Sequence, residues 1–372
     1  MSDYTDALQR VIDEVVAPQA VSVDREGTFP RQAIAALGQA GVLGLILPVE
    51  VGGGGQGLAE AAEVIRRLSG VCGSTAMVVL MHFAATAVIA NHGAEDVQRA
   101  IGAGQHLTTL AFSETGSRSH FWAPQGTATP SGSGVQLDAK KSWVTAAAEA
   151  DSYVWSSRPL ETEGPMTLWL VASNAPGLAP PGDFDGLGLR GNASRPIEAS
   201  GVIVPRDAML GDDGAGLDIA LAEALPWFLV LSAAFSVGLM EALTAETGSH
   251  IQRATLEHLG QTLAEQPAVR AHHARMRIAT DQATSLLTDT LAALGSARED
   301  ATLRVLEVKA AAGEAAIATS DLAMKVCGGA AFRKDLGIER RFRDAQAARV
   351  MAPTTDALLD FVGRAINGLP LL

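Results

Sequence analysis

Three glycines offer the first candidate chemistry. Gly52, Gly54 and Gly57 fall on a G-x-G-x-x-G spacing between the apolar run GVLGLILPV and the helix-forming run LAEAAEVIRRL, the order in which a turn sets a dinucleotide pyrophosphate on a helix N-terminus. The surroundings do not support it. Pro48 interrupts the strand that should precede the turn, and no acid stands near Cys72, about 20 residues on, to take a ribose hydroxyl. No second strand completes a βαβ unit, so the expectation is a flexible glycine turn joining two helices. The histidines form no metal site either: His250 and His258 are separated along the chain, His272 and His273 are adjacent, and no carboxylates or thiols complete a ligand set.

The elements that would position any site change character twice. Residues 1–105 read as an all-α domain, with Ala7, Val11, Ile12, Val15 and Val16 on one helical face, followed by LAEAAEVIRRL and STAMVVLMHFAATAVIA. Residues 106–212 carry short β-branched and aromatic runs, among them HLTTLAFSE, GVQLDAKKSWVT, SYVWSS, MTLWLVAS and GVIVP, broken by Gly, Pro, Ser and Asn. These predict a compact antiparallel β-domain. Residues 213–372 return to four long amphipathic segments, natural for a helical bundle. The fold class is therefore α+β.

A chain of 372 residues has room for two or three such domains. Its net charge of −13 repels nucleic-acid phosphates, and no basic cluster offsets it. The acidic, amphipathic N-terminus lacks the pattern of a signal peptide. The longest apolar run, Leu225 to Met240, falls short of the ~20 residues that cross a bilayer and lies between Glu223 and Glu241, so it predicts a buried helix rather than a membrane span. Cys72 and Cys327 are too few and too distant for a disulfide framework, which fits a reduced, cytoplasmic protein.

Several separated segments, in order through nearly the whole chain, resemble the acyl-CoA dehydrogenase superfamily. GVLGLILPVEVGGGG is similar to its apolar-Pro-acid-x-Gly-Gly loop. AFSETGSRS (111–119) resembles the segment along the flavin and the thioester, and KKSWVTAAAEAD (140–151) resembles the Lys-x-Trp-Ile-Thr-Asn signature. VCGGAAF and ERRFRDAQAARVMAPTTD resemble the Gly-Gly segment and the Arg-Asp-Ala helix near the C-terminus. The resemblance implies a helical domain, a central antiparallel β-domain and a C-terminal four-helix bundle. It implies FAD as cofactor, with FMN as the alternative, and a homotetramer or homodimer.

Carried over by position, the resemblance sets Phe112 and Ser113 along the flavin ring, Trp143 over it and Thr145 at N5. Ser119 would contact flavin phosphate or the thioester, Arg253 the pyrophosphate of a neighbouring subunit, and Thr354 the adenosine half. Gly328 and Gly329 would let backbone approach the cofactor, although a helix C-cap asks for glycine too. An indole in a β-domain is ordinarily core, and an arginine at a helix end is ordinarily an exposed charge. The spacing after Arg253 is also longer than the family's.

The resemblance places the catalytic base either at Ala352 or at Phe228, and neither is a carboxylate. Loss of a general base forfeits ~10²–10⁴ in rate. Glu223, five residues before Phe228, becomes the replacement if a kink at Pro226 brings it in; its alternative is a surface or capping role. An apolar pocket of Phe112, Trp143, Trp227, Phe228 and Met351 suits flavin-dependent oxygenation by excluding water. There His120, where the dehydrogenases carry Asp, orients substrate or passes a proton, against the alternative of an exposed loop histidine. Oxygenation of an acyl-CoA thioester or related small molecule is thus slightly favoured over α,β-dehydrogenation. A silent scaffold that binds a ligand or partner is the third reading. An electron-transfer flavoprotein or a flavin reductase is the implied redox partner, with no nucleic acid and no membrane.

Overall fold

A computed structural model describes residues 4–117 and 120–371. The chain divides into two compact units: Met1–Val64, Ser74–Gly186 and Arg190–Phe228 form one, and Ile65–Gly73, Leu187–Leu189 and Leu229–Leu372 the other.

In the first unit, Leu8, Ile12, Val16, Ala20 and Val23 are buried, one stripe running through Tyr4–Val11, a π-helical turn at Ile12–Val16 and Ala17–Glu26. Gly27, left-handed at φ 64°, ends that run. The glycine turn that follows is bonded in place rather than flexible. Gly54 N donates to Gly44 O, Gly55 N to Leu47 O and Gln56 N to Leu45 O, all within 3.0 Å. A side chain on Gly53 would meet Leu47 O at 2.2 Å, so glycine is required there by backbone contact and not by a phosphate.

Helix Gly73–His92 is apolar on all sides because nearly all of it is interior. By length and composition it and Gly216–Arg253 could cross a bilayer, yet 89% and 78% of their most apolar windows are buried within the protein, which makes them core helices. His82 on the first of these is fully buried. Its Nε2 donates to Leu43 O at 2.9 Å and its Nδ1 accepts from Thr108 N at 3.1 Å, so one neutral tautomer ties helix, loop and first strand together. Burial pushes its pKa down to about 4. A base whose folded pKa lies below its unfolded value of about 6.5 disfavours protons in the native state. Stability is therefore full above pH 6.5 and falls as pH drops toward 4. The expected loss is about 3 kcal/mol, absent in His82→Gln, measured by urea denaturation across that range.

The β segment forms two four-stranded sheets. One is ordered Thr108–Ala111, Ser152–Ser157, Thr167–Ala172, Met209–Leu210; the other Thr127–Ser131, Gly134–Val144, Arg195–Pro205, Leu178–Ala179. Pairing is antiparallel except between Thr108–Ala111 and Ser152–Ser157, which run parallel. A parallel pair needs a long crossover, and here the crossover carries the first two strands of the second sheet. Every residue of Ser152–Ser157 is buried, and Trp155 faces Trp169 across the ladder.

The second unit is built on helix Leu225–Arg253 from Leu229 onward and on helices Pro267–Gly295, Ala301–Cys327 and Thr355–Ile366. Leu243, Ile251, Met276, Ala323, Val326 and Ile338 pack as one of its cores. The RRFRD segment closes it. Arg341 Nη2 donates to Gly70 O at 2.7 Å and Arg340 Nη2 to Val71 O at 3.1 Å, satisfying carbonyls that end helix Leu58–Val71. Asp344 Oδ1 accepts from Leu189 N at 2.6 Å.

Candidate functional site

Two segments distant in sequence are laid edge to edge in the first unit. Ser142 N donates to Ser113 O at 2.9 Å and Thr115 N to Lys140 O at 3.0 Å, with Glu114 and Lys141 opposed across the bridge. This register brings Phe112 and Ser113 alongside the stretch that carries Trp143 and Thr145.

A buried ion pair holds the register. Lys141 Nζ lies 2.6 Å from Glu114 Oε1 and spends its other donors on Ser156 O and Oγ, at 2.7 and 2.9 Å. It also sits 4.9 Å from the centre of the Trp155 ring. Glu114 Oε2 accepts from Gln125 N at 2.5 Å and Gly126 N at 3.0 Å. Desolvation outweighs the help of the carboxylate and lowers the Lys141 pKa to about 8, so the pair fixes geometry more than it adds stability.

Two residues beyond Lys141 the strand bulges, with its pairing shifted between Lys141 and Val144. Trp143 sits in that bulge at φ 55° and is 68% exposed. An indole in the left-handed region, turned to solvent, is neither core packing nor an ordinary strand residue. Ala146 and Ala148 follow at φ 56° and 62°. Their amides are held by Asn192 O at 2.9 Å and by the Tyr153 hydroxyl at 3.0 Å. Thr145 is buried between them and the bulge. The edge is a supported, strained platform of the kind that presents an aromatic face to a planar ligand.

The other residues singled out in the sequence are placed as follows. His120 is exposed on a turn, its Nδ1 donating to Ser117 O at 2.9 Å and its ring edge-on to Trp122. Ser119 lies outside the described residues. Glu223 falls in a π-helical turn, Ala220–Ala224, and its Oε1 accepts from His92 Nε2 at 2.9 Å. Trp227 is half-buried and Phe228 buried in the helix that continues from it.

In the second unit, Arg253 is exposed at a helix end with its Nε donating to Ser249 O at 3.0 Å. The residues after it make a small hairpin, Thr255–Leu256 with Gln261–Thr262, which accounts for the long spacing. Gly328 ends helix Ala301–Cys327 at φ 55°, and side chains added at Gly328 or Gly329 would meet only open space. Thr354 caps helix Thr355–Ile366. Met351 and Ala352 are half-buried in a loop gripped by Lys309, whose Nζ donates to Met351 O at 3.1 Å and Pro353 O at 2.8 Å.

Sequence reasoning missed Glu114, Lys141, Lys309 and His92. For the first two a signal existed, since a charged residue inside each β run had to find a buried partner.

Family models agree with this architecture at both ends: "Acyl-CoA dehydrogenase, N-terminal domain" matches residues 2–103 and "Acyl-CoA dehydrogenase, C-terminal domain" matches 214–367. The chain belongs to the acyl-CoA dehydrogenase family. As an acyl-CoA dehydrogenase superfamily member it is a flavoprotein oxidoreductase by class. Among its relatives is the human mitochondrial short-chain specific acyl-CoA dehydrogenase, 27% identical over 348 residues, 91% of this chain and 83% of the relative. The fold matches butyryl-CoA dehydrogenase from Megasphaera elsdenii with TM-score 0.91 at 20% identity, covering 99% of both chains. It also matches PigA, described as an FAD complex, with TM-score 0.90 at 19% identity, covering 98% of this chain and 96% of that one. Among the described residues, no group of three or more His, Cys, Asp or Glu could hold a metal ion.

Proposed function

We propose that this chain is an FAD-dependent oxidoreductase acting on an acyl-CoA thioester or a related small acyl compound. The observation that carries the reading is the exposed, left-handed Trp143, set on a platform fixed by the buried Glu114–Lys141 pair. FAD supplies the two-electron acceptor. Trp143 covers the ring, Phe112 and Ser113 run along it, and Thr145 donates at its reactive edge. By the family resemblance, Gly328, Gly329 and Thr354 would serve the cofactor's far half, and Arg253, exposed at its helix end, would meet the pyrophosphate of a second copy in a homotetramer or homodimer. FMN fits the same edge less completely, since it would leave those residues unused.

For the proton, Glu223 is the base we favour, giving α,β-dehydrogenation with an electron-transfer flavoprotein as acceptor. Its support is a carboxylate oxygen, Oε2, that is buried without a hydrogen-bond partner among the described residues. Oxygenation, with a flavin reductase as partner, is the second reading, favoured by the apolar side chains of Phe228 and Ala352. Cys72 and Cys327, both buried and too few for a disulfide framework, suit a reducing, cytoplasmic setting.

Trp143→Ala tests the reading. Because the indole is exposed, folding stability should change by no more than about 0.5 kcal/mol. FAD affinity should fall about tenfold or more through lost aromatic stacking and burial. Undiminished FAD affinity in fluorescence titration contradicts it.

A further inference from the structure

His92 and Glu223 stand 131 residues apart in sequence and meet at the end of helix Gly73–His92. We infer that His92 is a positioning residue for the reaction, holding the Glu223 carboxylate so that its second oxygen faces the substrate proton. The inference rests on the flavin reading above.

Three observations converge. His92 Nε2 donates to Glu223 Oε1 at 2.9 Å, which anchors one carboxylate oxygen and leaves the other for a second partner. Glu223 Oε2 is buried and has no hydrogen-bond partner among the described residues, which leaves it available to a proton donor. The backbone beneath is a π turn, Ala220–Ala224, a rare irregularity that re-aims side chains and recurs at functional sites.

Space beside the imidazole is kept by Gly211 at φ 78°. A side chain there would come 2.4 Å from Ile219 Cδ1 and 3.5 Å from His92 Nδ1. The arrangement is a carboxylate oriented by a neighbouring hydrogen-bond donor, the pattern of an aimed general base. In the step it serves, Glu223 Oε2 would take the substrate's α-proton, with bound FAD supplying the acceptor for the β-hydride.

The test uses FAD-loaded protein and butyryl-CoA, with two readouts: anaerobic bleaching of the flavin, and exchange of the α-hydrogens in deuterated water, which needs the base but no hydride acceptor. Glu223→Gln should lower both by ~10²-fold or more. His92→Leu should lower them about tenfold through kcat with KM little changed, and His92→Gln, whose amide can still donate, should recover most of the loss. Equal FAD content in all variants separates this from misfolding.

Bleaching at the wild-type rate in Glu223→Gln, or identical behaviour of the two His92 variants, overturns the inference and leaves the flavin reading intact. Absence of bleaching in the wild type, with exchange that is lost in Glu223→Gln, defeats dehydrogenation while supporting the aimed base. Absence of both in the wild type overturns both.

Discussion

Lys141→Met is expected to cost about 3–5 kcal/mol of folding stability. The substitution keeps the apolar stem but strands the Glu114 carboxylate, which is 2% exposed, without its counter-charge. It also removes the donor to both oxygens of Ser156. Glu114 retains the amides of Gln125 and Gly126, and those two bonds cannot replace an ammonium. Adding Glu114→Gln should recover part of the loss, since the amide oxygen can keep accepting from the same backbone while the buried charge disappears. Urea denaturation of the two proteins measures it. A loss under 1 kcal/mol in the single variant, or no recovery in the double, contradicts the account.

The second large effect is a gain. In a Glu223→Gln background, Ala352→Glu is expected to raise the anaerobic rate of flavin reduction by butyryl-CoA ~10²-fold or more. Residue 352 is where the family resemblance sets the base, and the loop around it is held by its backbone, through Lys309 and the carbonyls of Met351 and Pro353. The side chain at 352 takes no part in that grip, so a carboxylate can be introduced without loosening the loop. Burial holds Lys309 to about 8, leaving it charged at neutral pH and favourable to a new carboxylate nearby. Stopped-flow absorbance is the measurement, and an unchanged rate with full FAD content would show that position 352 no longer addresses the substrate.

The order of helical, β and helical segments was legible because hydrophobic period and turn residues change sharply near 106 and 213. The parallel pairing of Thr108–Ala111 with Ser152–Ser157 was not, since strand direction depends on where a 40-residue excursion returns. The glycine turn was separable from a nucleotide loop by its context, yet its rigidity came from carbonyls of Gly44, Leu45 and Leu47 that no spacing reveals.

Trp143 and Thr145 were legible as candidates, from their motif. That the indole is exposed at positive φ follows only from the bulge beside it. The Glu114–Lys141 pair was half visible as two charges within β runs. His92 was invisible as a partner of Glu223, because a contact across 131 residues leaves no local trace and the π turn that presents the carboxylate has no composition of its own.

A crystal structure with FAD bound tests the central claim most directly. The account predicts the isoalloxazine in van der Waals contact, about 4 Å, with the indole of Trp143, and Phe112 and Ser113 along its length. A ring bound elsewhere, with Trp143 still facing solvent, would contradict it, as would protein that stays colourless after equilibration with FAD.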